Sequence, residues 1–402
     1  MKDRILFIAA ISVFIVLVFV FGIRAIWTTV NKSADNTEDG FFTDLNEEPS
    51  LINYAFWTDN GTLFEDYLNE AGEISIDDEQ YFQIKLNKYK WYGIENLLEK
   101  GTSDPLDVIA FDPLMHASNK LLNPTELDSS LYILFYNIDI LEELGFDRPP
   151  EDRNTLNGMA EAAIKAGFRG IDLCLSPNDS RAAWRDLLPW FWSAGIDLED
   201  SNGYNFNTSQ SRNILRFLND LAQKNIIAQD ALYRNGETGW NDFLAGKTAF
   251  IISSLLNINN PDTRPQFNYS IMMIPGPSLT GGKAKIAKQT INAGIWPASQ
   301  NHKEATHFIH FLKEGASKVS LERQTNTNNN PIQTKANDIL ETTDFADDFM
   351  PQNSTKNTQI LSIILKEISA MLKQEQGPEN TARNIQKQTY GLLTEFATQT
   401  PP

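Results

Sequence analysis

Apolar and polar positions run along this chain in blocks whose period changes. The first block has no period at all: Ile5 to Ile23 (ILFIAAISVFIVLVFVFGI) carries no charge and no proline. As a helix it is about 28 Å long, enough to cross the hydrocarbon core of a bilayer. Lys2 and Arg4 precede it. The positive-inside bias therefore puts the N-terminus in the cytoplasm and everything after Arg24 outside. Gly22-Ile23-Arg24-Ala25 is a poor signal-cleavage site and bulky Trp27 follows, so residues 1–27 are expected to stay as a single transmembrane anchor. Residues 28–47 are polar and aperiodic, the pattern of a tether.

From Leu51 the pattern switches between strand and helix periods. LINYAFW (51–57) predicts a buried strand and Thr58-Asp59-Asn60-Gly61 a turn. Phe64, Tyr67, Leu68 and Ala71 share one face of a short helix. YFQIKLNKYKW (81–91) is an alternating strand, Ile94, Leu97 and Leu98 mark a helix stopped by Gly101, and LDVIAFD (106–112) is a strand closed by Pro113. Strand and helix in alternation predict a parallel sheet with right-handed crossovers. Ligands of such sheets sit beyond the carboxyl ends of the strands. That makes Trp57, Asp59, Asn60 and Asp112 candidate binding residues.

The remainder reads the same way. LYILFYN (131–137), GIDLCLS (170–176), TAFIISS (248–254) and YSIMMIP (269–275) predict strands. Helices are predicted over 138–144, 154–166, 209–224, 240–246, 303–313, 357–373 and about 380–396, with Gly145, Gly167 and Gly246 as stops. Trp190, Phe191 and Trp192 are consecutive rings, which one helix face cannot bury together, so Trp190 or Trp192 is expected to face a cleft. Trp240, ahead of FLAGK, is a further cleft candidate.

A net charge of −18 argues against nucleic acid as a partner. About 370 residues remain after the anchor, enough for two domains with their own cores, and the 41% hydrophobic content of the whole chain argues against overall disorder. The single cysteine, Cys174, rules out an internal disulfide and leaves no cysteine near the anchor to carry a lipid. His307 and His310 share a helix face but no hydrolytic motif joins them, so no metal is expected. The chain has no phosphate-binding loop, no GxSxG and no HExxH, and no cofactor is expected.

Several segments in fixed order carry a resemblance. They are LFYNIDILEELGFDRPPEDRNTL (134–156), WFWSAGIDLEDSNGYNFNTSQSRNILRFLNDLAQKNII (190–227), FLAGKTAFIIS (243–253), NYSIMMIPGP (268–277), INAGIWPASQNHKEATHFIHFL (291–312) and NNPI (329–332). None is specific alone. Together and in order they resemble the extracellular solute-binding proteins of sugar ABC importers, the group typified by maltose-binding protein. The chain departs from that group in four places. Only Pro113 to Ser130 separates two predicted strands where the family has a longer excursion. Ser253-Ser254-Leu255-Leu256 stands where maltodextrin binders carry a Trp. Asn154-Thr155-Leu156 replaces another Trp, and no lipid-bearing cysteine follows the anchor.

The resemblance implies an α/β, two-lobe periplasmic-binding-protein-like fold with discontinuous lobes, preceded by the transmembrane helix. Residues 48–127 plus 265–315 would form the first lobe and 128–264 plus 316–402 the second. It also implies a non-enzymatic binding component, with a small solute, most simply a sugar, in the cleft and an ABC permease in the membrane as partners. The main domain would be periplasmic on the cytoplasmic membrane. Sugars offer hydroxyls at their edges and C–H groups on their faces, which carboxylates, amides and aromatic rings recognise. On that chemistry Tyr136, at the family's Tyr-Asn position, joins the candidates. So do Asn292 and Trp296, where the family's chain crosses near the hinge and where Gly294 would let backbone approach ligand. The other reading is a membrane-anchored sensory or interaction protein on the same scaffold, suggested by the short first lobe and the permanent anchor.

Overall fold

The computed structural model describes residues 50–57, 73–76, 80–115, 117–179, 181–200, 203–258, 264–276, 285–325, 331–345 and 355–397. The anchor, the tether and the predicted helix over 64–71 lie outside the described residues. Among the described residues no helix is long and apolar enough to cross a membrane.

A mixed sheet forms the frame. Its strands are β1 (Ser50–Trp57), β2 (Glu73–Ile76), β3 (Gln80–Tyr89), β4 (Val108–Phe111), β5 (Leu122–Asn137) and β6 (Arg169–Asp172). After the small hairpin of β7 (Glu199–Asp200) and β8 (Gly203–Tyr204) come β9 (Thr248–Ser254), β10 (Tyr269–Met272), β11 (Lys285–Ile295) and β12 (Asp344–Phe345). The main order is β2-β3-β1-β4-β11-β5-β9-β6. β1 is parallel to β3 and β4, as the strand–helix alternation predicts. Within this order β11 and β5 run antiparallel to their neighbours, which alternation alone does not show, while β12 pairs parallel with the start of β11.

Helices cover the faces. They are α1 (Trp91–Lys100), α2 (Ile138–Glu143), α3 (Arg153–Lys165), α4 (Leu188–Trp192), α5 (Ser209–Gln223), α6 (Gly236–Leu244), α7 (His302–Thr325), α8 (Pro331–Thr342), α9 (Thr355–Leu372) and α10 (Pro378–Ala397). Local chemistry sets their ends. Asp152 and Thr208 cap α3 and α5 through side-chain oxygens, and Gly145 takes the left-handed conformation, with φ 85°, just past α2.

Two large apolar cores sit on this frame. One gathers Ile52, Tyr54, Val108, Ile109 and Phe111 with Phe308 and Leu312 of α7. The other gathers Leu134, Leu156, Ile171, Phe191, Leu215 and Ile364. A smaller cluster of Phe135, Trp240, Phe243 and Ile271 lies on the opposite face of β5. Asp107, buried before β4, pins the first core: it accepts from the Asn53 N–H at 2.8 Å and from Ser299 Oγ at 2.6 Å.

β5 is the connecting member. Its first half pairs with β11 and its second half with β9 and β10. Tyr132 sits at the changeover, opposite Ala287 on one side and Ser254 on the other. β10 falls in the sequence range given above to the first lobe, yet it pairs with Leu134–Asn137 of β5. Its Ile271 and the neighbouring Phe267 pack on Phe135, Trp240 and Phe243.

Candidate functional site

A cavity of about 200 Å³ opens where β5, β9 and β11 meet α6. Its floor follows from strand register. Gln289 lies opposite Ser130, and Tyr132 lies two residues further along β5. Side chains alternate along a strand, so Tyr132 and Gln289 share a face as diagonal neighbours, with Ser254 opposite Tyr132. All three line the cavity.

A wide π-helical turn, Ala183–Leu187, supplies one wall. Such turns recur at functional sites because they push side chains off the regular helical spacing. Arg185 projects from this turn and Arg181 from just before it, and both line the cavity. Asp179 holds them in place. It accepts from Arg181 Nε at 3.1 Å, from Arg185 Nη1 at 2.8 Å and from the Gly236 N–H at 3.2 Å. Burial by itself would raise the Asp179 pKa, but the two guanidiniums outweigh it and hold the carboxyl below the usual range. Arg185 also pairs with Asp186 and donates to the Cys174 carbonyl at 2.9 Å. Gly236 allows this arrangement, because a Cβ there would lie 2.5 Å from Arg185 Nη1.

The helix α6, capped by Asn235, brings Glu237 and Trp240 to the cavity. Glu237 forms an ion pair with Lys90 at the solvent-exposed rim. Arg181 also stacks on the Trp91 ring, 3.7 Å from its centroid, and Trp91 meets Trp57 edge-on at 5.3 Å.

Some of the buried polar atoms without a protein partner belong to this region. They include the Tyr132 hydroxyl, both atoms of the Gln289 amide, Asn292 Oδ1 and Asp112 Oδ2. Gln289 is 0% exposed and Asp112 1%. Leaving such a group unmatched costs about 1–3 kcal/mol. Burial pushes the Asp112 pKa up to about 7, against a smaller pull from the Leu114 N–H and Arg181. Among the described residues no group of His, Cys, Asp or Glu gathers as for a metal ion.

The profile of the bacterial extracellular solute-binding proteins matches residues 82–316. The chain belongs to this family. No curated protein matches the sequence. Solved structures of similar fold include a maltose-bound MalE3 of T. maritima, 16% identical, with TM-score 0.68 over 86% of this chain and 100% of that one. The GacH receptor of Streptomyces glaucescens, solved unliganded and with acarbose, is 16% identical with TM-score 0.66 over 86% and 99%. A solute-binding protein of Agrobacterium radiobacter K84 in complex with ribitol is 12% identical with TM-score 0.64 over 86% and 100%. As a member of this family the chain is a binding protein and not an enzyme.

Within this solute-binding protein the candidates read from sequence fall in different places. Trp240 lines the cavity. Asp112 and Asn292 are buried outside the lining, each with an unmatched oxygen. Trp57 is one ring further back, against Trp91. Asp59 and Asn60 lie outside the described residues. Tyr136 is buried beside Lys335, and Trp296 packs on the core around Ile52.

The expectation that Trp190 or Trp192 faces a cleft does not survive. Trp190, Phe191 and Trp192 are all buried, because α4 is enclosed on every side and not only along one face. Trp190 donates its indole N–H to the Asp186 carbonyl, and Trp192 meets Trp184 edge-on at 5.0 Å. Gly294 likewise serves packing and not ligand approach, since a Cβ there would meet Leu121 Cβ at 2.8 Å.

Sequence reading missed Tyr132, Gln289, Arg181, Arg185, Lys90 and Glu237. Signals were present for some. Two arginines, Arg181 and Arg185, punctuate the apolar RAAWRDLLPWFW. Burial cannot be read from such interruptions, because a polar residue in a strand is most often on a wet face.

Proposed function

We propose that this chain is the substrate-binding component of an ABC importer and takes a sugar or related polyol in the cavity above Tyr132 and Gln289. The observation that carries the reading is a cavity of about 200 Å³ with a largely polar lining that includes Ser253, Ser254, Asn241, Asn257 and Gln289. A polyhydroxylated solute offers donors and acceptors in the numbers that such a lining requires. The similar structures solved with maltose, with acarbose and with ribitol support this choice of ligand class.

The mechanism is closure of two lobes on the solute. The separate cores around Ile52 and Leu134 support the division, with residues 48–127 and the chain from β11 into α7 in one lobe and most of 128–264 and 316–402 in the other. A solute touching both lobes favours the closed form by its differential affinity, and the closed form docks on the permease. The domain sits outside the cytoplasmic membrane, held by a retained helix over residues 5–23.

A thermal-shift screen of sugars and polyols on the full chain tests the assignment. A true ligand at one hundred times its Kd adds about 2.7 kcal/mol of stability. A panel without any shift refutes it. Mass spectrometry of membranes from the native host tests the anchor, which predicts peptides of the tether still joined to residues 5–23.

A further inference from the structure

Two consecutive residues at the start of α1 reach from one side of the molecule to the other. Lys90 precedes the helix in extended backbone and Trp91 opens it. Trp91 packs in the core around Ile52. Its ring also lies under the Arg181 guanidinium, 3.7 Å from centroid to carbon. Arg181 immediately precedes Ala182 and Ala183 of the core around Leu134. Lys90 pairs with Glu237 of α6, on that same side. We propose that the Arg181–Trp91 stack, flanked by this ion pair, is a clasp that keeps the empty protein closed, so that a solute must break it to enter. This rests on the two-lobe division given under Proposed function.

Burial makes the stack the stronger of the two contacts. Trp91 is 3% exposed and Arg181 6%. Trp57, from the same side as Trp91, meets its ring edge-on at 5.3 Å, and Arg181 covers its face. Parting the lobes would bare that face to water. A desolvated guanidinium–indole stack shifts a two-state equilibrium by about 30-fold. The Lys90–Glu237 pair is exposed and adds much less.

Arg181 is held in position from its own side. Its backbone N–H and its Nε both donate to Asp179 Oδ1, at 3.2 and 3.1 Å. Asp179 is fixed in turn by Arg185 Nη1 and the Gly236 N–H. None of these bonds is lost when the lobes part. The guanidinium therefore stays aimed at the Trp91 position, and closing orders little that was free before.

The clasp consists of protein groups alone, and Trp91 does not line the cavity. Closure then has a contribution that owes nothing to a solute. A solute that enters only the open form binds more weakly in proportion to the closed fraction of the empty protein. The clasp thereby sets the affinity of the site from outside it.

Pulsed dipolar spectroscopy on the full chain without solute tests this. Spin labels go on Asn96→Cys, an exposed position of α1, and Tyr233→Cys, 80% exposed ahead of α6 on the other side. The native Cys174 is buried and stays unlabelled. The labelled chain should show one short distance. Trp91→Leu removes the ring. Arg181→Lys keeps the charge beside Asp179 and loses the planar stack, and its small change of shape guards against a Trp91→Leu protein that does not fold. Each should move at least half of the population to a second, longer distance, with melting curves confirming the fold. A long or mixed distance in the labelled chain with Trp91 and Arg181 intact overturns the clasp. So does a short distance that neither folded variant lengthens. All distances are read without solute, so an open empty protein overturns the clasp and leaves solute binding intact, and a thermal-shift panel without any shift does the reverse.

Discussion

Lys90 and Glu237 form an ion pair across the rim of the cavity although 147 residues separate them in the chain. Lys90 sits between β3 and α1 and belongs to the side of the molecule built on Ile52, whereas Glu237 opens α6 on the other side. Both are substantially exposed, so the pair contributes only about 0.2–1 kcal/mol to stability. Its place at the rim predicts that breaking it affects solute release more than stability. Glu237→Gln should leave the melting temperature nearly unchanged and speed solute release several-fold, measured by stopped flow. The wild-type release rate should rise with ionic strength, and that of the variant should not.

Tyr132→Phe isolates one hydroxyl. Its oxygen is buried without a protein partner, so its removal should leave the stability of the unliganded protein unchanged or raise it slightly. Solute affinity should fall by about 0.5–1.5 kcal/mol, the usual net value of a neutral hydrogen bond. Calorimetric titration beside a urea melt separates the two effects. Equal affinity in the variant would place the solute away from the β5 changeover.

Asp112 makes stability fall as pH rises. Burial lifts its pKa from 3.8 to about 7, so between those values the folded protein holds a proton that the unfolded chain has released. The favourable contribution is full below about pH 4 and lost as pH passes 7, with a slope of at most about 1.4 kcal/mol per unit. Asp112→Asn should flatten the stability profile over this window. A residual slope should remain from Asp186, which burial also raises to about 7. Asp179 acts in the opposite sense: its depressed pKa gives stability that is present above about pH 4 and lost in stronger acid. Urea melts at pH 5 and pH 8 on both proteins measure the Asp112 effect.

Two glycines should respond oppositely to alanine. At Gly236 the added methyl would crowd Arg185, which Asp179, Asp186 and the Cys174 carbonyl hold in place. Gly236→Ala should cost about 1–3 kcal/mol and weaken solute binding. At Gly158, an exposed position inside α3, nothing lies within 4 Å of the new methyl. Gly158→Ala should stabilise by about 0.5–1 kcal/mol and leave binding alone. Melting curves on the two variants check both signs.

Local pattern alone determined much of this protein. Strand alternation and helix punctuation place β9 over Thr248–Ser254 as read from TAFIISS, and α3 and α5 within a residue or so of their predicted spans. These elements are legible because period and caps are properties of neighbouring residues. The ordered motifs between residues 134 and 332 already resembled the family that the matched profile identifies. Of the candidates read from strand ends and motif positions, Trp240 lies on the cavity lining and Asp112 and Asn292 are buried outside it.

What only the tertiary structure decided is which side chains face one another. β5 was read as a strand from Leu131, yet it begins at Leu122 and changes partners at Tyr132. That changeover creates the cavity floor, and no local period encodes it. Gln289 reaches the floor through pairing with Ser130, about 160 residues away in the chain. The rings of Trp190 and Trp192 looked like cleft residues because a lone helix cannot bury consecutive positions. α4 buries them all because Leu215 and Phe206 close over it from segments that sequence distance hides. Composition gives the energy of burial, and the crossing of distant strands determines which residues meet around the cavity.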